Sequence, residues 1–250
     1  MSKQWRLIID GARDAYTNMA FDKAIMMTTE IPVLRLYQWE PPAVSIGCFQ
    51  GLEEEVDIKK CKELGIDYVR RITGGGAVFH DKELTYSVIL KEKNNFISAD
   101  LHKSYEMICG AVVLGLKELG IQAEYVFLND IVVNQKKISG SAQTRRGGKL
   151  LQHGTLIIEV NLKKMFSILK VPDEKIRDKL ISKAEERVTS LAGELEKNIS
   201  CLEVMEAVKK GFEKYFGITF FEKGMTNEEN KLVQKIKKEQ FSKKEWNYAR

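Results

Sequence analysis

The sequence predicts an α+β protein. Runs with strand character concentrate in roughly the first 160 residues, whereas helical periodicity dominates from Leu162 onward. Strands that come before helices, instead of alternating with them, are typical of the α+β class. A chain of 250 residues with 44% hydrophobic side chains is also long enough to bury one substantial core.

Most of the predicted strands lie in the first part of the chain. A strand-like run at Leu7–Ile9 leads into a helix at Thr17–Met27, which has apolar residues at three-to-four spacing. Prolines at 32, 41 and 42 bracket a buried strand at Val33–Trp39. Further strands are predicted at Val44–Gly47, Tyr68–Arg71, Leu84–Leu90, Ile131–Asn134, Lys137–Ser141 and Leu150–Val160.

Helices are predicted from apolar stripes and from their end signals. Ile108, Val112 and Leu116 share one face of a helix at Ser104–Leu119, and Gly120 is its stop. The later helices are predicted at Leu162–Leu169, Asp173–Ser182, Leu202–Phe216 and Asn227–Lys244. The last of these is strongly charged, so we expect it to be a surface helix.

Composition excludes several classes of function. The net charge is +5, from 40 basic and 35 acidic residues, which is too weak a bias to indicate nucleic acid. No run reaches the roughly 20 apolar residues that cross a bilayer, and no signal-peptide core precedes the first strand. The four cysteines form no CxxC pair, which argues against disulfides or zinc and favours a reducing cytoplasm.

The run from Arg70 to Asp81, RRITGGGAVFHD, carries the strongest chemical signal. Three glycines between two strand-like pieces remove side chains that would block a ligand. Their amides, together with two arginines upstream, can form an anion cradle. The alternative is a flexible hairpin, and the glycines alone favour it. The run matches neither a P-loop nor a dinucleotide fingerprint.

Two further segments place polar side chains at the ends of strands. Asn129-Asp130 precedes one apolar strand, and Lys137 enters the next strand beside Gly140, where an amine can reach a phosphate or carboxylate across bare backbone. A hairpin with a solvated lysine turn explains this segment equally well. His153 opens another apolar strand, and a single histidine there is more often packed than catalytic.

Taken in order, these segments resemble the lipoate–protein ligase A family of the biotin and lipoate protein ligase class. The family pattern is Arg-Arg-x-Ser/Thr-Gly-Gly-Gly-Ala-Val-Phe/Tyr-His-Asp, then Asn-Asp, Lys-x-x-Gly-Ser-Ala and His-Gly-Thr-Leu-Leu, and the chain contains a close match to each. The segments Asn18–Asp22, Arg187–Leu191 and Trp246-Asn247 also match. The resemblance covers essentially the whole chain. It implies a mixed, mainly antiparallel sheet flanked by helices, and a single catalytic domain over residues 1–250 without a C-terminal accessory domain.

The resemblance implies an ATP-dependent ligase that converts lipoate or octanoate to an acyl-AMP and passes the acyl group to an acceptor lysine. Lys137 is expected to be catalytic, bridging the acyl carbonyl and the α-phosphate. The residues expected to bind lipoate and ATP are Arg71, Gly75, Gly76, Ala77, Val78, Phe79, His80, Asn129, Asp130, Lys137 and His153. Asp130 is also the candidate ligand for Mg²⁺.

The expected partners follow from the same resemblance. They are lipoyl-acceptor domains of the 2-oxoacid dehydrogenase E2 or glycine cleavage H protein type. Because the chain resembles the large subunit of split ligases, a separate small accessory subunit is also expected.

Some segments depart from the ligases and look more like the related octanoyltransferases. These are Lys82–Ser87, Gln143–Arg145 and Leu151–His153. Those transferases carry the acyl group on a cysteine just upstream of the segment equivalent to Asp130–Val133, where this chain has none. Cys48 is left as a substitute, but its apolar neighbours indicate a structural role. The ligase is therefore preferred, and an acyl transferase, a biotin ligase and a non-catalytic lipoate-binding protein are the alternatives.

Overall fold

The computed structural model describes residues 4–170 and 177–249, and it confirms the α+β prediction. The strands are β1 (Gln4–Arg13), β2 (Val33–Trp39), β3 (Ala43–Ile46), β4 (Asp67–Arg70), β5 (Val78–His80), β6 (Glu83–Lys91), β7 (Glu124–Val126), β8 (Asp130–Val133), β9 (Lys136–Arg146), β10 (Lys149–Ile157) and β11 (Thr219–Glu222). The helices are α1 (Ala15–Thr28), α2 (Leu52–Glu55), α3 (Ile58–Glu63), α4 (Leu101–Glu118), α5 (Leu162–Ile168), α6 (Arg177–Glu185), α7 (Leu191–Leu195), α8 (Cys201–Phe216), α9 (Asn227–Ile236) and α10 (Lys244–Asn247).

The strands form one large sheet and one small sheet. The large sheet has the order β11-β1-β2-β6-β10-β9-β8-β7. Strands β11, β1 and β2 run parallel to one another, and the remaining neighbours are antiparallel. The small sheet has the order β4-β3-β5. The expectation of a mixed, mainly antiparallel sheet is confirmed.

Helices cover both faces of the large sheet, which explains why its central strands are apolar on both sides. In β2, Leu34 and Leu36 point into a core shared with α4 and α8. The alternate residues Val33 and Tyr37 point to the opposite core, which contains α1 and α9. This alternation is the period of two that a strand imposes on its side chains.

A two-residue turn joins β8 to β9 and fixes the register of this hairpin. Asn134 and Gln135 both have positive φ, 49° and 65°, as a type I′ turn requires. The turn pairs Val133 with Lys136, so Lys137 is the second residue of its strand. The predicted strands at Ile131–Asn134 and Lys137–Ser141 are confirmed, and β9 extends further because it also pairs with β10.

The C-terminal region differs from its prediction. The prediction of a single surface helix at Asn227–Lys244 is wrong. The structure has three helical segments there, which are α9, a π-helical turn at Lys237–Phe241, and α10. Val233, Ile236 and Phe241 are buried in the core beneath α1, so only one face of this region is solvated. The predicted start of the helix at Asp173–Ser182 lies outside the described residues. Within the described part of the chain, no helix combines the length and the apolar character needed to span a membrane.

Candidate active site

A cavity of about 350 Å³ lies between the glycine loop and the surface formed by β9 and β10. Its size is within the range of about 300–1,000 Å³ that is usual for small-molecule sites. Every predicted site residue except Asp130 lines the cavity. Apolar side chains, among them Met19, Ile157, Met165 and Val188, make up much of the remaining wall. The cavity therefore suits a ligand with an apolar tail and a polar head.

Lys137 reaches this cavity by lying across Gly140. A Cβ placed on Gly140 would come within 2.8 Å of both Cε and Nζ of the lysine, so glycine at this position leaves room for the side chain. The Lys137 side chain is 42% exposed, and its ammonium is open to a ligand in the cavity. This geometry agrees with the expectation that the amine crosses bare backbone.

The backbone of Lys137 is fixed by a segment about fifty residues later in the chain. Its N–H donates to the carbonyl of Arg187 at 2.7 Å, and its own carbonyl accepts from the N–H of Thr189 at 2.9 Å. Val188 lies between these two contacts and lines the cavity. The Arg187–Leu191 motif thus acts as a short added strand that positions the lysine.

Asp130 is next to the cavity and contacts Lys137. Its Oδ1 lies 2.7 Å from the Lys137 ammonium, without the alignment of a regular hydrogen bond. The carboxylate that was expected to bind Mg²⁺ is therefore paired with the ammonium of Lys137. No cluster of three or more metal-binding side chains occurs in the described ranges 4–170 and 177–249. Asn129 is also engaged, since its side chain donates to the Ser141 carbonyl at 2.5 Å.

The glycine loop is held from beneath by Arg71, which points inward. Its Nη2 donates to the carbonyls of Gly74 and Gly76, and its Nη1 donates to the carbonyl and the hydroxyl of Ser45. Its Nε donates to the hydroxyl of Thr73. Burial lowers the pKa of Arg71 to about 10. All three guanidinium nitrogens are therefore engaged, two by the loop and one by Ser45, which leaves little of this cation for a phosphate.

Arg70, the neighbouring arginine, ties the loop at Gly47–Gln50 to the C-terminal segment. It donates to the carbonyl of Gln50 at 2.6 Å and to the carbonyl of Trp246 at 2.9 Å. The backbone N–H of Arg70 donates to the side chain of Asn247 at 2.8 Å. Gly47 lies against the glycine loop so closely that a Cβ on it would fall 2.1 Å from the carbonyl oxygen of Gly75. The Trp246-Asn247 motif therefore supports the cavity from behind.

One wall of the cavity contains a buried chain of hydrogen bonds centred on His80. Its Nε2 lies 2.8 Å from the Ser45 hydroxyl, and its Nδ1 lies 2.7 Å from Oε1 of Glu83. The ring stacks on Trp39 with centroids 4.0 Å apart and planes at 10°. Thr85 donates to the same Glu83 oxygen. Ser45, His80 and Glu83 all line the cavity.

His153 also lines the cavity and belongs to a second buried network. Its Nε2 lies 2.7 Å from the Thr73 hydroxyl, and its Nδ1 lies 3.3 Å from Oδ2 of Asp22. Burial lowers the pKa of His153 below its ordinary value of 6.5. Burial alone would raise the pKa of Asp22, but His153 and Arg35 together bring it below the usual value.

Arg35 is the centre of this second network. Its side chain is wholly buried and donates to Asp22 and to Asp10, both at 2.8 Å. It also donates to the side-chain oxygen of Asn18 at 2.7 Å. The Asn18–Asp22 motif therefore lies on the inner side of α1, where it neutralises a buried arginine and positions His153.

None of the four cysteines lines the cavity. Burial raises the pKa of Cys61 to about 12, and that of Cys109 and Cys201 to about 11. Cys109 lies in the core, 3.7 Å from the hydroxyl of Ser141. The thiols of Cys61, Cys109 and Cys201 are therefore in environments that disfavour the thiolate, which is the nucleophilic form.

The model of the lipoyl protein ligase A/B catalytic domain family matches residues 14–213. The chain belongs to this family. Octanoyltransferase LipM of Clostridioides difficile is 34% identical over 268 aligned positions, which cover 96% of this chain and 99% of that protein. LipM of Moorella thermoacetica is also 34% identical, over 94% of this chain and 95% of its own.

The solved structures similar to this chain include lipoate–protein ligases. A bipartite ligase from Thermoplasma acidophilum, determined within a study that included its E2 lipoyl domain, is 34% identical with a TM-score of 0.90, over 98% of this chain and 96% of that one. A lipoate–protein ligase A bound with ATP is 31% identical with a TM-score of 0.85, over 99% of both chains. These likenesses confirm the family and the fold that the sequence predicted.

The curated relatives correct the predicted reaction. They are octanoyltransferases, and a transferase takes an acyl group that its donor has already activated. The prediction of ATP-dependent ligation through an acyl-AMP is therefore wrong, and ATP and Mg²⁺ are no longer expected as cofactors. The geometry is consistent with this correction, because Arg71 is engaged by the glycine loop and Asp130 by Lys137. The transferase-like segments of the sequence were the better guide.

Proposed function

We propose that the chain transfers a medium-chain acyl group of the octanoyl type from a thioester donor to a lysine on a lipoyl-acceptor domain. The observation that carries this proposal is a largely apolar cavity that the Lys137 side chain lines. An octanoyl chain has an apolar tail and a carbonyl head, which match the apolar walls and the ammonium of this cavity. The curated octanoyltransferase relatives support the same reaction.

Lys137 is the residue proposed to stabilise the transition state. When a nucleophile adds to a thioester or ester carbonyl, negative charge develops on the carbonyl oxygen. A fixed cation near that oxygen lowers the barrier, and removing one such donor typically costs about 10²–10³-fold in rate. The contacts with Asp130 and with Arg187–Thr189 hold the lysine in place before the substrate arrives.

The proposed partners are an acyl donor of the carrier-protein type and an acceptor of the lipoyl-domain type. The acceptor class is supported by the study of the Thermoplasma ligase together with its lipoyl domain. The thioester supplies the free energy for amide formation, so the transfer needs no nucleotide. A separate accessory subunit stays a prediction.

The decisive experiment incubates the purified chain with octanoyl-acyl carrier protein and a lipoyl domain, without ATP. We expect the lipoyl domain to gain the mass of one octanoyl group on its target lysine. Lys137→Ala should lower the initial rate by about 10²–10³-fold while the protein keeps its unfolding temperature. Lys136→Ala is the matched control, because this neighbouring lysine does not line the cavity.

Two results would overturn the proposal. The first is a lipoyl domain that stays unmodified with the octanoyl thioester but gains mass from free acid and ATP. The second is a lipoyl domain that stays unmodified under both conditions although the chain binds octanoate.

A further inference from the structure

Ser45, His80 and Glu83 form a relay of hydroxyl, imidazole and carboxylate in the wall of the cavity. Ser45 lies on β3, His80 ends the neighbouring strand β5, and Glu83 begins β6. The distances are 2.8 Å from the serine oxygen to Nε2 and 2.7 Å from Nδ1 to the carboxylate. A nucleophile and base within hydrogen-bond distance, with a third group orienting the base, define an activated-nucleophile arrangement.

The hydrogen-bond partners assign the protons along this relay. A carboxylate can only accept, so Nδ1 of His80 carries a proton and donates it to Glu83. In the neutral imidazole the Nε2 atom then has a free lone pair directed at Ser45, whose hydroxyl donates to it. Stacking on Trp39 fixes the plane of the imidazole. The tautomer is therefore the one in which histidine acts as a general base toward serine.

Arg71 supports the same assignment from the other side of Ser45. Its Nη1 donates to the serine hydroxyl at 3.2 Å and to the serine carbonyl at 3.0 Å. Because the serine oxygen accepts from Arg71, its own proton remains available for His80. A neighbouring cation also stabilises negative charge that develops on this oxygen as the proton leaves.

The cysteines leave the acyl-carrying role vacant. All four lie within the described residues, and none of them lines the cavity. The alignment with LipM of Geobacillus kaustophilus runs over 278 positions and takes in the whole of both chains, whereas this chain has 250 residues. The relative therefore contains residues for which this chain has no counterpart. A transferase that forms a covalent acyl-enzyme therefore needs another nucleophile in this chain.

We propose that Ser45 is this nucleophile and that the acyl group is carried as an oxygen ester on its side chain. This inference rests on the proposed transferase function. Ser45 Oγ forms a bond to the thioester carbonyl carbon while its proton passes to Nε2 of His80. The carbon–sulfur bond then breaks, and the sulfur takes the proton from His80 and leaves as the thiol of the carrier.

The second half of the reaction reverses these roles. The acceptor lysine, as a free amine, adds to the carbonyl carbon of the ester and gives up a proton to His80. The bond from the carbonyl carbon to Ser45 Oγ breaks, and His80 returns the proton to the serine. The products are the amide and the unmodified enzyme. Lys137 faces the carbonyl oxygen in both halves, and Glu83 is a positioning residue that orients His80.

The test is to trap the ester. The wild-type chain is mixed with octanoyl-acyl carrier protein in the absence of acceptor, quenched with acid, and measured by intact mass and peptide mapping. We expect one octanoyl group on the peptide that contains Ser45, resistant to neutral hydroxylamine. Ser45→Ala should not carry it, and Ser167→Ala, a serine on α5 outside the cavity, should behave as wild type.

Two further variants strengthen the test. In Ser45→Cys the adduct should become sensitive to hydroxylamine, because a thioester replaces the ester. Glu83→Gln should slow adduct formation at least about 10-fold and Glu83→Asp should restore part of the rate, as expected when a carboxylate orients the base.

The outcomes separate this inference from the transferase proposal. Ser45→Ala should lower acceptor octanoylation by about 10³-fold or more. If the acceptor is octanoylated at an unchanged rate by Ser45→Ala, or if the adduct maps to Cys48, the serine mechanism is wrong and the transferase stands. If the acceptor gains no octanoyl group from the thioester with the wild-type chain, the transferase proposal itself is wrong.

Discussion

Two histidines border the cavity, and each of them lies between a hydroxyl and a carboxylate. His80 is placed between Ser45 and Glu83, with 2.8 and 2.7 Å to its two partners. His153 is placed between Thr73 and Asp22, with 2.7 and 3.3 Å. Read as a pattern of side chains, the two arrangements are the same. Their surroundings differ.

The carboxylate distinguishes the two networks. Asp22 is shared among His153, the buried guanidinium of Arg35, and the hydroxyls of Ser87 and Tyr37. Glu83 receives only the His80 ring and one threonine hydroxyl among the hydrogen bonds that the structure describes. A carboxylate that neutralises a buried arginine contributes to the fold, whereas one that serves a single imidazole is free to tune a base.

The hydroxyl makes the same distinction. Both residues are buried, but Ser45 lines the cavity and Thr73 does not. Geometry alone would identify both sets as catalytic. The two networks differ in the access of the hydroxyl to the cavity and in the number of other partners of the carboxylate. We therefore assign a catalytic role to the His80 network and a structural role to the His153 network.

The largest expected effect is in the His153 network. Arg35→Met should lower the free energy of unfolding by about 3–5 kcal/mol, because it leaves the buried carboxylate of Asp22 without its cation and removes one of the two arginines that pair with Asp10. Urea unfolding measures this loss. Lys60→Ala, which removes an exposed pair with Glu63, is the control and should change stability by no more than about 0.5 kcal/mol. A loss below about 1 kcal/mol in Arg35→Met would break the comparison.

A smaller effect compares the two hydroxyls. Thr73→Val should cost about 1–3 kcal/mol of stability, because the Nε of Arg71 and the Nε2 of His153 both lose a buried partner. Ser45→Ala should cost less, since the Arg71 Nη1 keeps the carbonyl of Ser45 and His80 faces the cavity. Thermal unfolding of the two variants side by side decides this. Equal losses would show that both hydroxyls are structural.

The smallest expected effect is a pH dependence. Burial lowers the pKa of His153 in the folded state, so between that value and 6.5 the unfolded chain binds more protons than the folded chain. Stability should therefore fall as pH decreases from about 7 through 6.5 and below, with a slope of at most about 1.4 kcal/mol per pH unit. The lowered pKa of Asp22 acts in the same direction, below its ordinary value of 3.8.

Substitution of the histidine tests this assignment. His153→Gln should flatten the slope of stability between pH 7 and pH 5, measured by urea unfolding at each pH. His102→Gln, at an exposed position on α4, should leave the slope as it is in the wild type. A slope that survives in His153→Gln would place the titrating group elsewhere.

Much of the fold could be predicted from local signals. The strand at Val33–Trp39 was predicted to the residue, because prolines bracket it and its apolar run fits a doubly covered strand. Short elements such as β7 and β11 were missed, since three or four residues carry too little pattern to predict a strand. Their pairing depends on contacts from distant parts of the chain.

The position of a site residue could be predicted where local backbone shape determines it. It could not be predicted where hydrogen bonds to distant residues determine it. The position of Lys137 over Gly140 followed from spacing in one strand. Arg71 lines the cavity as expected, but its hydrogen bonds to the loop carbonyls could not be predicted from the sequence. The role of Ser45 could not be predicted from the sequence. A serine within a strand has no distinctive chemistry until the small sheet places His80 beside it. The one feature of the sequence that could have indicated this network is Glu83, an acidic residue three positions after His80.

The pairing of Lys137 with the segment around Val188 has a consequence for synthesis. The β8–β9 hairpin needs only neighbouring residues and can close early on a growing chain. The N–H and carbonyl of Lys137 obtain their partners only after residues 187–189 have been added. A translating ribosome must therefore deliver about fifty more residues before the amine is fixed, which makes catalytic competence a late acquisition of the nascent protein.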